Sequence, residues 1–328
     1  MNKERVLVTG GAGFIGSNLC EALLKSGYEV VCFDNFSTGK MENISEFISH
    51  SNFKLIGGDI RNVPDCYKAC KDVTYVLHHA ALGSVPRSIN DPVTSTDVNI
   101  SGFVNMLTAA KDNNVKRFIY AASSSTYGDS TSLPKHEDHI GKPLSPYAIT
   151  KYVNELYAEI FYKTYGLNTI GFRYFNVFGQ KQDPEGAYAA VIPKFIQQFI
   201  NNESPVINGD GSYSRDFTYI KNVIQINLLA LTTKNPKALN QVYNVACEKQ
   251  TTLTELAHLL KLKLTNFDNN INNLQIKYGP NRQGDVPHSL ASIAKAKTLL
   301  NYQPRYNLAK GLEEALQWYW QYFNVLVE

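Results

Sequence analysis

Six short runs of β-branched and apolar residues, Arg5–Val8, Glu29–Phe33, Phe53–Ile56, Thr74–Leu77, Arg117–Ala121 and Thr169–Tyr174, punctuate the first half of the chain. Between them lie stretches of helical length in which apolar residues return every three to four positions. Such alternation predicts a parallel sheet covered by helices, because parallel neighbours need a crossover long enough to hold a helix. Val6-Leu7-Val8 and Val30-Val31-Cys32-Phe33 are apolar without interruption, as strands buried on both faces should be.

After about Gly179 the rhythm loosens. Helical patterns at Val191–Ile200, Asn222–Leu231, Thr254–Leu262 and Leu308–Tyr322 are separated by turn-rich Ile207-Asn208-Gly209-Asp210-Gly211 and by the polar run Thr265–Asn273. The chain is therefore expected to be α/β, with a doubly wound parallel sheet over residues 1–178 and a smaller α+β domain over 179–328, crossing between the two more than once. The Asn-rich run reads as a loop insertion, and no repeat of solenoid period is visible.

Composition narrows the class. A chain of 328 residues, 44% hydrophobic and 19% charged, has the make-up of an ordinary globular protein. Its formal charge of +3 is spread along the sequence and does not suggest a nucleic-acid partner. The five cysteines are odd in number and fall mostly in expected helices and strands, so they read as packed, reduced thiols. Cys66 and Cys70 share a helix face, but no nearby ligand completes a zinc set and no metal is expected. Because MNKERVLVTGG runs directly into a strand and no apolar stretch reaches membrane-spanning length, a cytoplasmic protein with no membrane partner is expected.

The first strand ends at Gly10-Gly11-Ala12-Gly13-Phe14-Ile15-Gly16, and Ser17–Lys25 has helical periodicity. Glycines here let the backbone turn tightly and let a pyrophosphate approach the positive end of the helix. The next strand finishes at Asp34, about 20 residues on, where an acidic side chain reaches an adenosine ribose and repels a 2′-phosphate. That spacing predicts a Rossmann-type fold carrying NAD rather than NADP. The alternative is that Asp34 only caps a turn with Asn35 and Ser37. Asp59, after the third strand in Gly57-Gly58-Asp59, either caps a turn or sits against the adenine.

Tyr-x-x-x-Lys occurs three times, at Tyr67/Lys71, Tyr147/Lys151 and Tyr306/Lys310. Only Tyr147 opens a long helix after Ser145-Pro146 and follows a strand ending in Ser123-Ser124-Ser125. Oxidising an alcohol while hydride leaves the same carbon calls for a base, and a free phenol titrates near ~10. An ammonium one helical turn away favours the phenolate, so Tyr147 is the expected base and Lys151 its support. Ser123 is the first choice to bridge the substrate hydroxyl and Tyr147, with Ser124 next; Ser125 equally suits a plain turn.

With these residues in hand, the chain resembles the extended short-chain dehydrogenase/reductase family and, within it, the UDP-sugar 4-epimerases, their bacterial UDP-N-acetylglucosamine branch above all. The resemblance runs nearly end to end. It rests on the Gly10–Gly16 turn, His79-Ala80-Ala81, Asn99, Ser145–Lys151, Arg173–Gly179, Ser214–Phe217 and Arg282-Gln283-Gly284-Asp285. It implies bound NAD that takes hydride from C4 of a hexose and returns it to the other face of the 4-keto sugar. It adds Phe14, Ile15, Gly39, Ile60, Ala80, Ala81, Asn99 and Tyr174 to the cofactor contacts. For the substrate it implies Asn176 at the sugar or its phosphates, Arg215 and Arg282 at the diphosphate, Asp285 at the uridine ribose, and Phe195 and Asn208 at uracil. Val191 and Val206 join that wall.

The galactose-type members of the resembled family carry a bulky tyrosine where this chain has Ser289. Gly83, Ser84 and Ala190 are likewise small at positions matching the sugar pocket, so UDP-GlcNAc and UDP-GalNAc are the expected pair, with UDP-glucose and UDP-galactose used less well. A surface polysaccharide is the natural destination. A 4,6-dehydratase would need a carboxylate pair where Ser125-Thr126-Tyr127-Gly128 stands. UDP-glucuronate epimerisation or decarboxylation, in which a basic group such as the unassigned Arg87 would bind the carboxylate, and a non-catalytic dinucleotide sensor are the alternatives. The resemblance also implies a homodimer built on Thr96–Asp112 and Pro146–Tyr165.

Overall fold

The computed structural model describes residues 4–184, 190–280 and 286–325. Seven parallel strands form the central sheet: β1 (Arg5–Thr9), β2 (Glu29–Asp34), β3 (Phe53–Gly57), β4 (Tyr75–His78), β5 (Arg117–Ser123), β6 (Thr169–Tyr174) and, from the second half of the chain, β11 (Gln241–Val245). Their spatial order is β11-β6-β5-β4-β1-β2-β3. The chain thus leaves β1 in one direction through β2 and β3, and in the other through β4, β5 and β6. That reversal beside β1 is the switch point of a Rossmann-type doubly wound sheet, where ligands lie beyond the strands' carboxyl ends.

Helices α1 (Phe14–Lys25), α2 (Val63–Cys70), α3 (Val85–Asn90), α4 (Pro92–Thr96), α5 (Gly102–Asp112) and α6 (Pro146–Tyr165) complete the first half. Two core clusters, one on each face of the sheet, account for the continuous apolar strands: Val6 and Val8 face one, Leu7 the other. The expected helix over Thr96–Asp112 starts earlier, at Pro92, and passes through a π-helical turn at Asp97–Ser101. Helix α1 likewise begins at Phe14 rather than Ser17, so its first turn belongs to the glycine segment.

Beyond β6 three small sheets form. Strand β7 (Val177–Phe178) pairs with β10 (Thr218–Tyr219), β8 (Val206–Asn208) with β13 (Lys277–Gly279), and β9 (Ser214–Asp216) with β12 (Gln250–Thr252). Around them pack α7 (Val191–Ile200), α8 (Ile220–Thr232), α9 (Leu253–Leu264), α10 (Ala294–Leu300) and α11 (Leu308–Val325). The Asn-rich run is not the plain loop expected: Asn269–Asn273 forms a 3₁₀ turn, because Ile271 is fully buried and pins it to the core. Among the described residues no helix is long and apolar enough to cross a membrane.

Candidate active site

A cleft of about 450 Å³ opens at the carboxyl ends of the strands. The glycine turn forms one wall. Gly10 has φ +66°, and a Cβ there would lie 2.8 Å from the Ala80 backbone nitrogen; a Cβ on Gly16 would fall 2.0 Å from the Gly10 carbonyl oxygen. Side chains at either position would push the turn off the end of β4 or lift α1 from it. No side chain caps α1, and Phe14, Ile15 and Gly16, whose amides precede the helical ladder, line the cleft. That arrangement suits an anion.

Asp34 lines the same cleft at the end of β2. One of its oxygens accepts from the Ala12 amide at 2.9 Å and the other from the Phe36 amide at 2.8 Å. The carboxylate thus ties two turns together, as the turn reading expects, and keeps lone pairs for a ligand hydroxyl. Asn35 and Ser37 form the next turn, the Ser37 amide bonding Asn35 Oδ1 at 3.0 Å. Gly39 does not line the cleft but packs against Asp34, where a Cβ would lie 2.9 Å from Oδ2. Asp59 holds the Arg61 guanidinium at 2.8 Å and Asn35 at 2.9 Å, which brings its carboxyl down to about 2. Ile60, Ala80 and Ala81 line the cleft too.

Asn99 does not reach the cleft. Buried in the π turn, its amide accepts from the Leu82 N–H at 2.8 Å and donates to the Leu82 carbonyl at 3.1 Å and to Thr150 Oγ1 at 3.2 Å. The wider turn brings this amide to the backbone behind Gly83, so it acts by supporting the wall.

Ser123, Tyr147 and Lys151 converge on the cleft from β5 and α6. Ser145 caps α6 through the Ala148 amide at 3.1 Å, and the Tyr147 amide donates to Ser88 Oγ at 3.0 Å. Lys151 Nζ donates to the Ala121 carbonyl at 2.9 Å and sits 5.9 Å from the centre of the Tyr147 ring. Burial lowers Lys151 to about 8 and raises the Tyr147 phenol, which the Ser123 hydroxyl pulls back down. At Tyr147 desolvation outweighs the Ser123 hydrogen bond that draws the phenol down. Ser125 donates to Ser123 Oγ at 2.8 Å, which orients the Ser123 proton; Ser124 begins the 3₁₀ turn beside them. The other two Tyr-x-x-x-Lys pairs lie elsewhere, Tyr67 on Asp112 and Tyr306 under Lys310.

Toward the small sheets, Gly83 lines the cleft and Ser84, at φ 138°, caps α3. Asn176, at φ +38°, donates to the Asp216 carbonyl at 3.0 Å and to Ser289 Oγ at 3.3 Å. Ser289 is fixed in turn by its amide on the Ser214 carbonyl at 3.0 Å. Arg215 donates to the carbonyls of Ser214 and Pro287 at 2.9 and 3.1 Å. Ala190 caps α7, followed by Val191, and Val206 and Asn208 are exposed on β8. Phe195 is 2% exposed, buried with Ile192, Ile196 and Phe199 on the inner face of α7. Burying such a ring is worth about 1.5–3 kcal/mol and secures α7 to the core. Arg282 and Asp285 lie outside the described residues. Sequence reasoning left Arg61, His79, Leu82 and Val98 unassigned on the cleft wall; only the Asp59-x-Arg61 spacing and the His79-Ala80-Ala81 run hinted at them.

A glycine turn on an uncapped helix, a carboxylate at the end of the second strand and a Ser–Tyr–Lys set define a nicotinamide-dependent enzyme of the Rossmann class. The family comparison agrees: residues 6–246 match the NAD dependent epimerase/dehydratase family, and the chain belongs to it. The chain is similar to a UDP-N-acetylglucosamine 4-epimerase from Methanobrevibacter ruminantium, solved with UDP-N-acetylmuramic acid (39% identity, 98% of this chain, 100% of that one, TM-score 0.91). It is also similar to the UDP-glucose 4-epimerase of Thermotoga maritima solved with UDP-glucose (35%, 99% and 100%, TM-score 0.89). The UDP-glucuronate 4-epimerase of Thermodesulfobacterium geofontis is 34% identical over 95% of both chains. NAD is the cofactor of this family, and the cleft walls fit it: α1 for the pyrophosphate, Asp34 for the adenosine ribose, and Tyr147 with Lys151 at the opposite end.

Proposed function

We propose that the protein is a UDP-sugar 4-epimerase whose preferred pair is UDP-GlcNAc and UDP-GalNAc, with UDP-glucose and UDP-galactose used less well. Bound NAD supplies the acceptor for the C4 hydride and later its donor. Tyr147 takes the proton of the C4 hydroxyl, through or beside Ser123, and Lys151 offers a positive charge that steadies the phenolate. The 4-keto sugar then turns about its bond to the diphosphate, and Tyr147 returns the proton as hydride reaches the opposite face. Arg215, Asn176 and Asn208, with Arg282 and Asp285, hold the UDP while the sugar turns; arginine suits the diphosphate because its fork makes paired, charge-assisted bonds. The active unit is a homodimer.

The observation that carries the choice of sugar is the Asn176–Ser289 contact at 3.3 Å. A small hydroxyl held by an amide leaves room, and a hydrogen-bonding partner, for a 2-acetamido group. Incubating the purified protein with NAD and UDP-GlcNAc, and resolving UDP-GalNAc by chromatography, tests the reading. UDP-glucose and UDP-glucuronate run in parallel, and a marked preference for either overturns it. Ser289→Tyr is expected to lower kcat/KM for the acetylated pair at least tenfold and leave UDP-glucose within about threefold.

A further inference from the structure

His79 stands on the cleft wall at the end of β4 and has no part in the chemistry above. Its Nε2 lies 3.1 Å from the Tyr174 hydroxyl, and the two rings are nearly parallel at 24°, centroids 6.0 Å apart. The same hydroxyl lies 2.9 Å from Asn227 Nδ2, which also donates to the Val223 carbonyl at 2.8 Å. That second bond fixes the amide, since a flip would set oxygen against oxygen. Asn227 must therefore donate to the Tyr174 oxygen. The single Tyr174 proton is left for His79, whose Nε2 must accept it. The ring proton then sits on Nδ1, which is buried and meets no partner in hydrogen-bond geometry.

We infer that His79 is a positioning residue for the dinucleotide: as the neutral Nδ1–H tautomer it accepts the Tyr174 proton and, with Asn227, locks the Tyr174 ring into the wall beside Ser123, Tyr147 and Lys151. The chain Asn227–Tyr174–His79 joins α8, the end of β6 and the end of β4 into one support. Burial and the charge of Lys151 hold His79 down to about 3, so it stays an acceptor across the working range. Burial also raises Tyr174, so the second phenol in the cleft keeps its proton and does not compete with Tyr147 as base. The inference rests on the NAD cleft and not on the choice of sugar.

Its test is NADH binding followed by fluorescence, with no sugar nucleotide present. His79→Phe is expected to weaken binding at least tenfold. His79→Gln, whose amide oxygen can accept the Tyr174 proton, should stay within about threefold. Tyr174→Phe should match His79→Phe, and the double variant should be no worse than either. Unchanged binding in His79→Phe, or losses that multiply in the double variant, would overturn the inference. Nitrogen-15 spectra of the unsubstituted protein give a readout independent of any variant's folding: protonated Nδ1, bare Nε2 and no titration between pH 5 and 8 are expected, whereas an Nε2–H tautomer refutes it.

Discussion

Lys151 faces opposed demands. Its contact with Ala121 needs an N–H donor, its electrostatic role needs the charge, and burial in the cleft works against that charge. With a value of about 8 in the folded chain against 10.5 ordinarily, it is charged at pH 7 and discharges as pH rises through 8. Turnover is therefore expected to fall on the alkaline side with an apparent pKa near 8. Lys151→Arg should be slower but flat from pH 7 to about 9.5, because the guanidinium keeps its proton. Stability moves the other way: between 8 and 10.5 the unfolded chain holds a proton that the folded chain has lost, so this residue's contribution improves as pH rises. A wild-type rate profile without an alkaline limb would remove Lys151 from the chemistry. For Tyr147 the expected outcome is simpler: Tyr147→Phe should lose about 10²–10⁴-fold in kcat, measured with NAD saturating. Sequence spacing placed both residues on one helix face, but it held no information on how dry that face is, and dryness decides their titration.

At the scale of elements, α6 does two jobs. Its inner face carries Lys151, Asn154 and Glu155, buried; its outer face leaves Ile149, Leu156 and Ile160 exposed at 50%, 45% and 52%. These three fall on one stripe of the helix, and an apolar stripe of that size is costly to leave in water. Pairing with the same stripe of a second copy is the arrangement proposed. Ile160→Asp is expected to shift the light-scattering mass from dimer to monomer, and a monomeric wild type would defeat the proposal. Periodicity foretold α7 to the residue, but not that Phe195 would be buried with Ile192, Ile196 and Phe199. A helix face shows itself in sequence; which neighbour it meets does not. The π turn at Asp97–Ser101 was invisible for the same reason, since one extra residue in a turn leaves the apolar repeat almost unchanged.

For the whole molecule, the six strands of the first half were legible because short β-branched and apolar runs separated by helix-length stretches mark the strands of a parallel sheet. The seventh was not: Gln241-Val242-Tyr243-Asn244-Val245 carries two amides, one of them, Asn244, fully buried and bonded to Lys135 and Ser292 carbonyls at 3.0 Å. Polar residues satisfied by distant backbone give no signal in a local window. The glycine turn and the Ser–Tyr–Lys set could be read because close backbone approach and proton transfer restrict residue type. Wall residues such as Arg61 could not, because many side chains fill a wall.

The pairing of β11 with β6 has a consequence for how the molecule comes into being. While a ribosome has yet to release residue 245, the sheet ends at β6, its outer hydrogen-bonding edge open from Ile170 to Tyr174. Tyr174 anchors the dinucleotide wall, so a nascent chain would own the whole glycine turn and still lack a finished seat for NAD.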